Sequence, residues 1–293
     1  MFRGTQITEF VALLKRREAS VFHACQYLDF LAYLDLEGIP SRSLLEQNRQ
    51  TFTSFDTDDV DRNNGVWDKV FVNFSDFGLI FTRGRAGTPN VYGPILFQIH
   101  PQALLASRDL AVTLRSAGAR DFNRVDEALN TVGEVEQIFL HPVQAGFPES
   151  IEARFGRQLE QVFPDRVVKG NPEINSSVPS GRLDLKHTIV ILVDPYIFNG
   201  QQRLVTAVET AVREHGLQYK VVERLPGQSQ RYNELAHMIT NFGPSFQDVQ
   251  GSRMTSLDCS EWLRQLSENR LEWQFDRFAR YLLSGTLVPL KDG

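Results

Sequence analysis

The sequence predicts an α+β core followed by an extension of α/β and helical character, and three observations lead there. Short apolar runs suited to buried strands stand at residues 20–25, 94–101 and 133–143, among segments with helical spacing. A strand, an amphipathic helix and a second strand succeed one another at 187–193, 201–215 and 219–225, which predicts a parallel pair. Residues 260–283 space Trp262, Leu266, Trp273, Phe275 and Phe278 along the apolar face of one long helix. The core is assigned to residues 1–178 and the extension to 179–293.

Taken in order, residues 7–17 put Phe10, Val11, Leu13 and Leu14 on one side of a short helix behind Thr8, a capping residue. SVFHAC at 20–25 is a brief strand with His23 inside it. A second helix runs from 27 to 37 and Gly38 stops it. TFTSFDTDDVDRNN at 51–64 is polar and acidic and reads as a surface loop carrying Arg62 into Gly65. The aromatic-rich VWDKVFVNFSDFGLIF turns at 75–78, residues 84–93 form a glycine-rich loop, and PILFQIHP is a clear strand. Residues 102–131 read as helix and loop. GEVEQIFLHPV at 133–143 reads as a buried strand ended by His141-Pro142, with Glu136 at its mouth. Residues 149–163 are helical, and RVVKGNPEINSSVPSGRLDL holds too much Pro, Gly and Ser to be one element.

Composition narrows the function classes. The chain of 293 residues is 42% hydrophobic and 23% charged, ordinary values for a globular protein with a sizeable core. No apolar run approaches the roughly 18 residues of a membrane span, and four charges soon follow the short N-terminal apolar patch, which speaks against a signal peptide. Cys25 and Cys259 have no paired spacing, so neither a disulfide framework nor a zinc site is expected, and a cytoplasmic setting follows. A net charge of −5 excludes a globally basic nucleic-acid binder and leaves phosphate to a local cationic face. Arg108, Arg115, Arg120 and Arg124 form the one candidate, as a binding face or as an ordinary solvated surface.

The order FHAC, helix, EGI, a loop with arginine, VFVNFSDF, ILFQIHP, a variable segment and EQIFLHPV resembles the DarT-type toxins, ADP-ribosyltransferases that modify nucleic-acid bases. The resemblance covers about residues 20–145. In that family the first strand carries a histidine in a motif like HIT, an arginine precedes a segment like YVPFYF, and the catalytic glutamate opens a strand. It implies a split β core with helices, NAD as substrate, no metal, and a cytoplasmic toxin or phage-defence effector held in check by an antitoxin that the extension could bind.

Residue by residue, the resemblance implies that His23, Ala24 and Cys25 contact the cofactor, with a ribose hydroxyl held by His23. Phe71 and Phe74 would line the nicotinamide pocket. Glu136 would stabilise the oxocarbenium-like ribose and help deprotonate the acceptor, with Glu134 as the competing assignment. Arg62 would fork onto the pyrophosphate or assist that proton transfer. The acceptor would be an unpaired DNA or RNA base, stacked on Phe122 and flanked by Arg115, Arg120 and Arg124.

Other classes stay open. One is a catalytically inert nucleic-acid or protein-binding module on the same fold. Another is a metal-dependent nuclease built from Glu173 and Asp184 with Lys186 close by, although HTIVILVDPY lacks the acidic-x-lysine pair such a site wants. No glycine pattern in the extension supports a second nucleotide site.

Overall fold

The computed structural model describes residues 1–17, 19–55, 57–74, 93–139, 156–168, 172–193, 197–198 and 202–223. The α+β expectation holds. Twelve described strands are β1 Phe2–Arg3, β2 Val21–Cys25, β3 Gly38–Pro40, β4 Val70–Asn73, β5 Ile95–Ile99, β6 Asp109–Thr113, β7 Glu173–Ser177, β8 Arg182–Asp184, β9 Thr188–Val193, β10 Ile197–Phe198, β11 Gln202–Arg203 and β12 Val221–Glu223. The described helices are α1 Thr5–Arg16, α2 Tyr27–Asp35, α3 Arg42–Gln47, α4 Asp58–Asn63, α5 Arg124–Glu127, α6 Val132–Glu136, α7 Gly156–Val162 and α8 Leu204–Glu214.

Eight strands form one sheet in the order β1-β6-β7-β4-β2-β5-β9-β12. All its pairs are antiparallel except β9 with β12, which flank α8 as the expected parallel pair. The strand pattern has period two. Val70, Val72, Ile174, Leu110 and Val112 face one apolar core, while Phe71, Asn73, Glu173, Asn175, Asp109 and Ala111 face the other side. Helix α1 covers the apolar face with Ile7, Phe10, Val11, Leu13 and Leu14. At about 2 kcal/mol per fully buried aliphatic or phenyl side chain, these five contribute roughly 10 kcal/mol before ordering costs. Helix α8 buries Leu204, Ala207, Val208, Ala211 and Val212 against the same core.

Three expectations are corrected. Residues 133–143 do not open as a strand: Thr131 caps α6 through a capping box with Glu134, and that reciprocal bonding winds the segment through Glu136 as helix. Residues 102–131 contain strand β6, whose DLAVT is buried at every position. The acidic loop winds into α4 at Asp58–Asn63, with three aspartates in its first turn where the helix dipole favours them. Residues 166–185 are indeed more than one element, since they supply β7 and β8. The turn at 75–78, nearly all of the loop at 84–93, the end of the 133–143 segment and the helix at 260–283 lie outside the described residues. Among the described residues no helix is long and apolar enough to cross a membrane.

Candidate active site

The sheet is tied unevenly. Among the described residues, strands β2 and β5 share five residue pairs and β4 and β7 share four, but β2 and β4 share only Phe22↔Asn73. Two four-stranded halves, β1-β6-β7-β4 and β2-β5-β9-β12, therefore meet among the described residues at a single rung and part on the Phe71 side of it.

His23 stands at that parting. Its Nδ1 lies 2.7 Å from the Phe71 carbonyl of β4, and its Nε2 lies 3.1 Å from the Tyr33 hydroxyl of α2. A carbonyl can only accept, so Nδ1 carries the proton and Nε2 accepts from the hydroxyl. An imidazole thus takes the place of a ladder bond between the halves. Burial pushes His23 down to about 4, outweighing the Phe71 carbonyl and Asp29, which pull the other way, while Arg42 lowers it further. The ring is neutral at pH 7, and both of its nitrogens are engaged within the fold.

On the other side of the sheet, the register aligns Phe22 of β2, Asn73 of β4, Glu173 of β7 and Thr113 of β6 in one row. Glu173 is the first residue of β7 and is 7% exposed. Its Oε1 accepts from the Ala117 amide at 3.1 Å, and the Ser116 side chain bonds it too. Burial raises it to about 8, those hydrogen bonds oppose the rise, and the nearby Asp61 charge adds to it. Asp61 on α4 is raised to about 6, chiefly by burial and then by Asp58, with Arg42 opposing. Arg42 is lodged over the Phe52 and Phe55 rings, 5.0 Å from each centroid, and donates to buried Asp29 at 3.2 Å.

The residues singled out from sequence fall into different surroundings. Ala24 is partly buried one position beyond His23, so the alternation of the strand turns it to the opposite face, and Cys25 is core. Phe71 packs against Val66, Ala117 and Phe122, whereas Phe74 is wholly buried between Phe10 and Phe139. Glu136 ends α6 and pairs with Arg17 at 3.2 Å, whose guanidinium also lies 4.3 Å over the Phe139 ring. Glu134 is spent on the capping box and on Arg166. Arg62 is exposed on α4, stacked 3.7 Å over Trp67 and ion-paired with Glu46.

Of the four arginines, Arg115 and Arg124 are held inside the fold while Arg108 and Arg120 are exposed. Arg115 is 2% exposed and forks onto Glu127 at 2.5 and 2.7 Å, with Asp121 at 2.8 Å. Arg124 bonds Asp109 at 2.7 Å and the Asn175 carbonyl at 3.1 Å. Phe122 is buried, and Arg120 is exposed. Two of the three cations expected to grip an acceptor are thus neutralised by their own fold.

Sequence reasoning undervalued Glu173, Asp61 and Asp29. The signal for Glu173 was available in kind, a carboxylate opening a strand after Pro172, but surrounding Pro, Gly and Ser masked the short β7. Among the described residues no group of three or more His, Cys, Asp or Glu could hold a metal ion, and Asp184 is paired with Lys186 at 2.7 Å.

No protein-family model matches the chain, and no curated protein matches it in sequence. Among solved structures it is similar to Thermosipho africanus DarTG in complex with ADP-ribose, with a TM-score of 0.39, 9% identity and 70% of this chain covered. The chain spans about half of that solved chain, 50% of its length.

Proposed function

We propose that the protein is an NAD-dependent mono-ADP-ribosyltransferase acting on a base of DNA or RNA, single-stranded by preference, and that Glu173 is its catalytic carboxylate. The observation that carries this is the placement of Glu173. It is a buried carboxylate that opens β7, beyond the residues 20–145 that carry the resemblance, and β7 is the neighbour of β4, whose Phe71 shares its face of the sheet. Glu136 does not open a strand, and Arg17 already neutralises it.

In this reading Phe71, whose side chain shares the Glu173 face of the sheet, lies toward the nicotinamide, and neutral His23, on the opposite face, holds the Phe71 backbone in place. Breaking the nicotinamide–ribose bond develops positive charge on the sugar, which the Glu173 carboxylate stabilises before helping to take a proton from the attacking base. Burial holds Glu173 protonated at neutral pH, and the cationic nicotinamide ring offsets that burial when it arrives. Arg62 is exposed and able to fork onto the pyrophosphate once it leaves Glu46. Of the acceptor-binding group, Arg120 remains a surface cation for the nucleic-acid backbone. A toxin role restrained by an antitoxin follows from the sequence resemblance alone.

The test incubates the protein with labelled NAD and, separately, single-stranded DNA, single-stranded RNA, duplex DNA and a cell extract. Label should move to one polymer, should be lost by orders of magnitude in Glu173→Gln, and should persist in Glu136→Gln. No transfer and no nicotinamide release by the unmutated protein would overturn the proposal and leave a binding module.

A further inference from the structure

Asp61 is the second carboxylate beside this site, and the fold sets it against the same turn as Glu173. Asn64 of the α4 C-terminus donates to the carbonyls of Ala117 at 2.6 Å and Ala119 at 2.9 Å, which fastens the helix over residues 116–119. A methyl group built on Gly118 would stand 3.8 Å from Asp61 Oδ1 and 3.4 Å from Thr57. The Ala117 amide of that turn is donated to Glu173. The turn is therefore flanked by the two carboxylates, and among the described residues the Asp61 carboxylate accepts no hydrogen bond.

We infer that Asp61 is a positioning residue acting through Glu173: across the turn at 116–119 its charge keeps a proton on Glu173, which passes to solvent when the cationic nicotinamide of NAD comes alongside. This rests on the proposed transferase reading. The groups facing Glu173 are Asn73 from β4, Thr113 from β6, Ser116 and Ala117 from the turn and Asp61 from α4. Close by, Arg115 is held by Glu127 and Asp121, and Asp61 itself faces Asp58 and Arg42. No cation in this set is hydrogen-bonded to either carboxylate. With Asp61 titrating near 6 and Glu173 near 8, the pair holds one proton across neutral pH. Two like charges so placed cannot both ionise cheaply, and an arriving cation removes that obstacle. The site is thereby biased toward the cationic dinucleotide over its neutral reduced form, which carries no charge on the ring.

The experiment follows the Glu173 carboxyl carbon by NMR against pH in the unmutated protein, Asp61→Asn and Asp61→Ala, with far-UV circular dichroism verifying the fold. The Glu173 midpoint falls by about one pH unit in both variants, because the like charge is gone. In parallel, calorimetric titration of NAD near pH 7 in two buffers of different ionisation enthalpy reads proton release, which falls to roughly half its unmutated value in Asp61→Asn. An unchanged Glu173 midpoint in the folded variants would overturn the action of Asp61 on Glu173 whatever NAD does. A lowered midpoint without any NAD binding would uphold the pair and sink the transferase reading instead.

Discussion

Replacing Glu173 by Gln removes an ionisable group from the interior while keeping an oxygen able to accept from the Ala117 amide. The unfolded chain ionises this carboxyl near its ordinary 4.5, and the folded chain holds it to about 8. Between those values the folded state binds more protons than the unfolded one, so the group's contribution to stability falls as pH rises, and the loss is complete above about 8. At about 1.36 kcal/mol per tenfold change in proton affinity, that displacement amounts to about 5 kcal/mol. Urea unfolding of the two proteins at pH 5 and pH 9 measures it. The two should be within about 1 kcal/mol of each other at pH 5, and the variant should be the more stable by several kcal/mol at pH 9. Titrations other than that of Asp61, which is coupled to Glu173, are common to both proteins and cancel in the difference. A stability difference that is the same at the two pH values would refute the reasoning, because a buried carboxylate would then not be the cause.

Further outcomes follow from the same structure. His23 has the opposite sign: held at about 4 against an ordinary 6.5, its contribution is present at neutral pH and lost as pH falls between those values, so His23→Asn should flatten the acid limb of a stability profile by about 3 kcal/mol. Tyr33→Phe should cost about 1–2 kcal/mol in denaturant unfolding, since the His23 Nε2 acceptor loses its donor. Arg115→Met strands the largely buried Glu127 carboxylate, while Asp121 stays in solvent, so chemical denaturation should show a loss of about 3 kcal/mol. Gly93 holds φ at +131°, and a methyl group there would come within 1.8 Å of the Cys25 carbonyl, so Gly93→Ala should be recovered misfolded or strongly destabilised by circular dichroism.

The sheet was legible where side chains announce period two. SVFHAC, ILFQI and TIVILV are β-branched and aromatic runs, and they became β2, β5 and β9. DLAVT escaped because Asp109 and Thr113 look exposed, and their burial depends on Arg124, Ser177 and the Arg115 carbonyl, partners distant in sequence or hidden in a turn. EINSS hid for a similar reason: Glu173, Asn175 and Ser177 alternate on a buried polar face, a pattern that composition alone assigns to a loop. The 133–143 segment misled as a strand because Ile138 and Phe139 are buried beneath a helix end rather than inside a strand. Legibility failed wherever polar residues were satisfied by one another out of sight of water.

The single rung Phe22↔Asn73 gives the molecule a mechanical direction. Separating β2 from β5 would break a five-pair ladder, whereas widening the gap between β2 and β4 strains one pair and the His23 bridge, about 1–3 kcal/mol of net hydrogen bonding. A guest able to replace those few bonds can enter like a wedge along the grain of the sheet, while each half keeps its own ladder intact. Amides flanking that line should exchange with solvent sooner than those of β5 or β7, and occupancy should slow them.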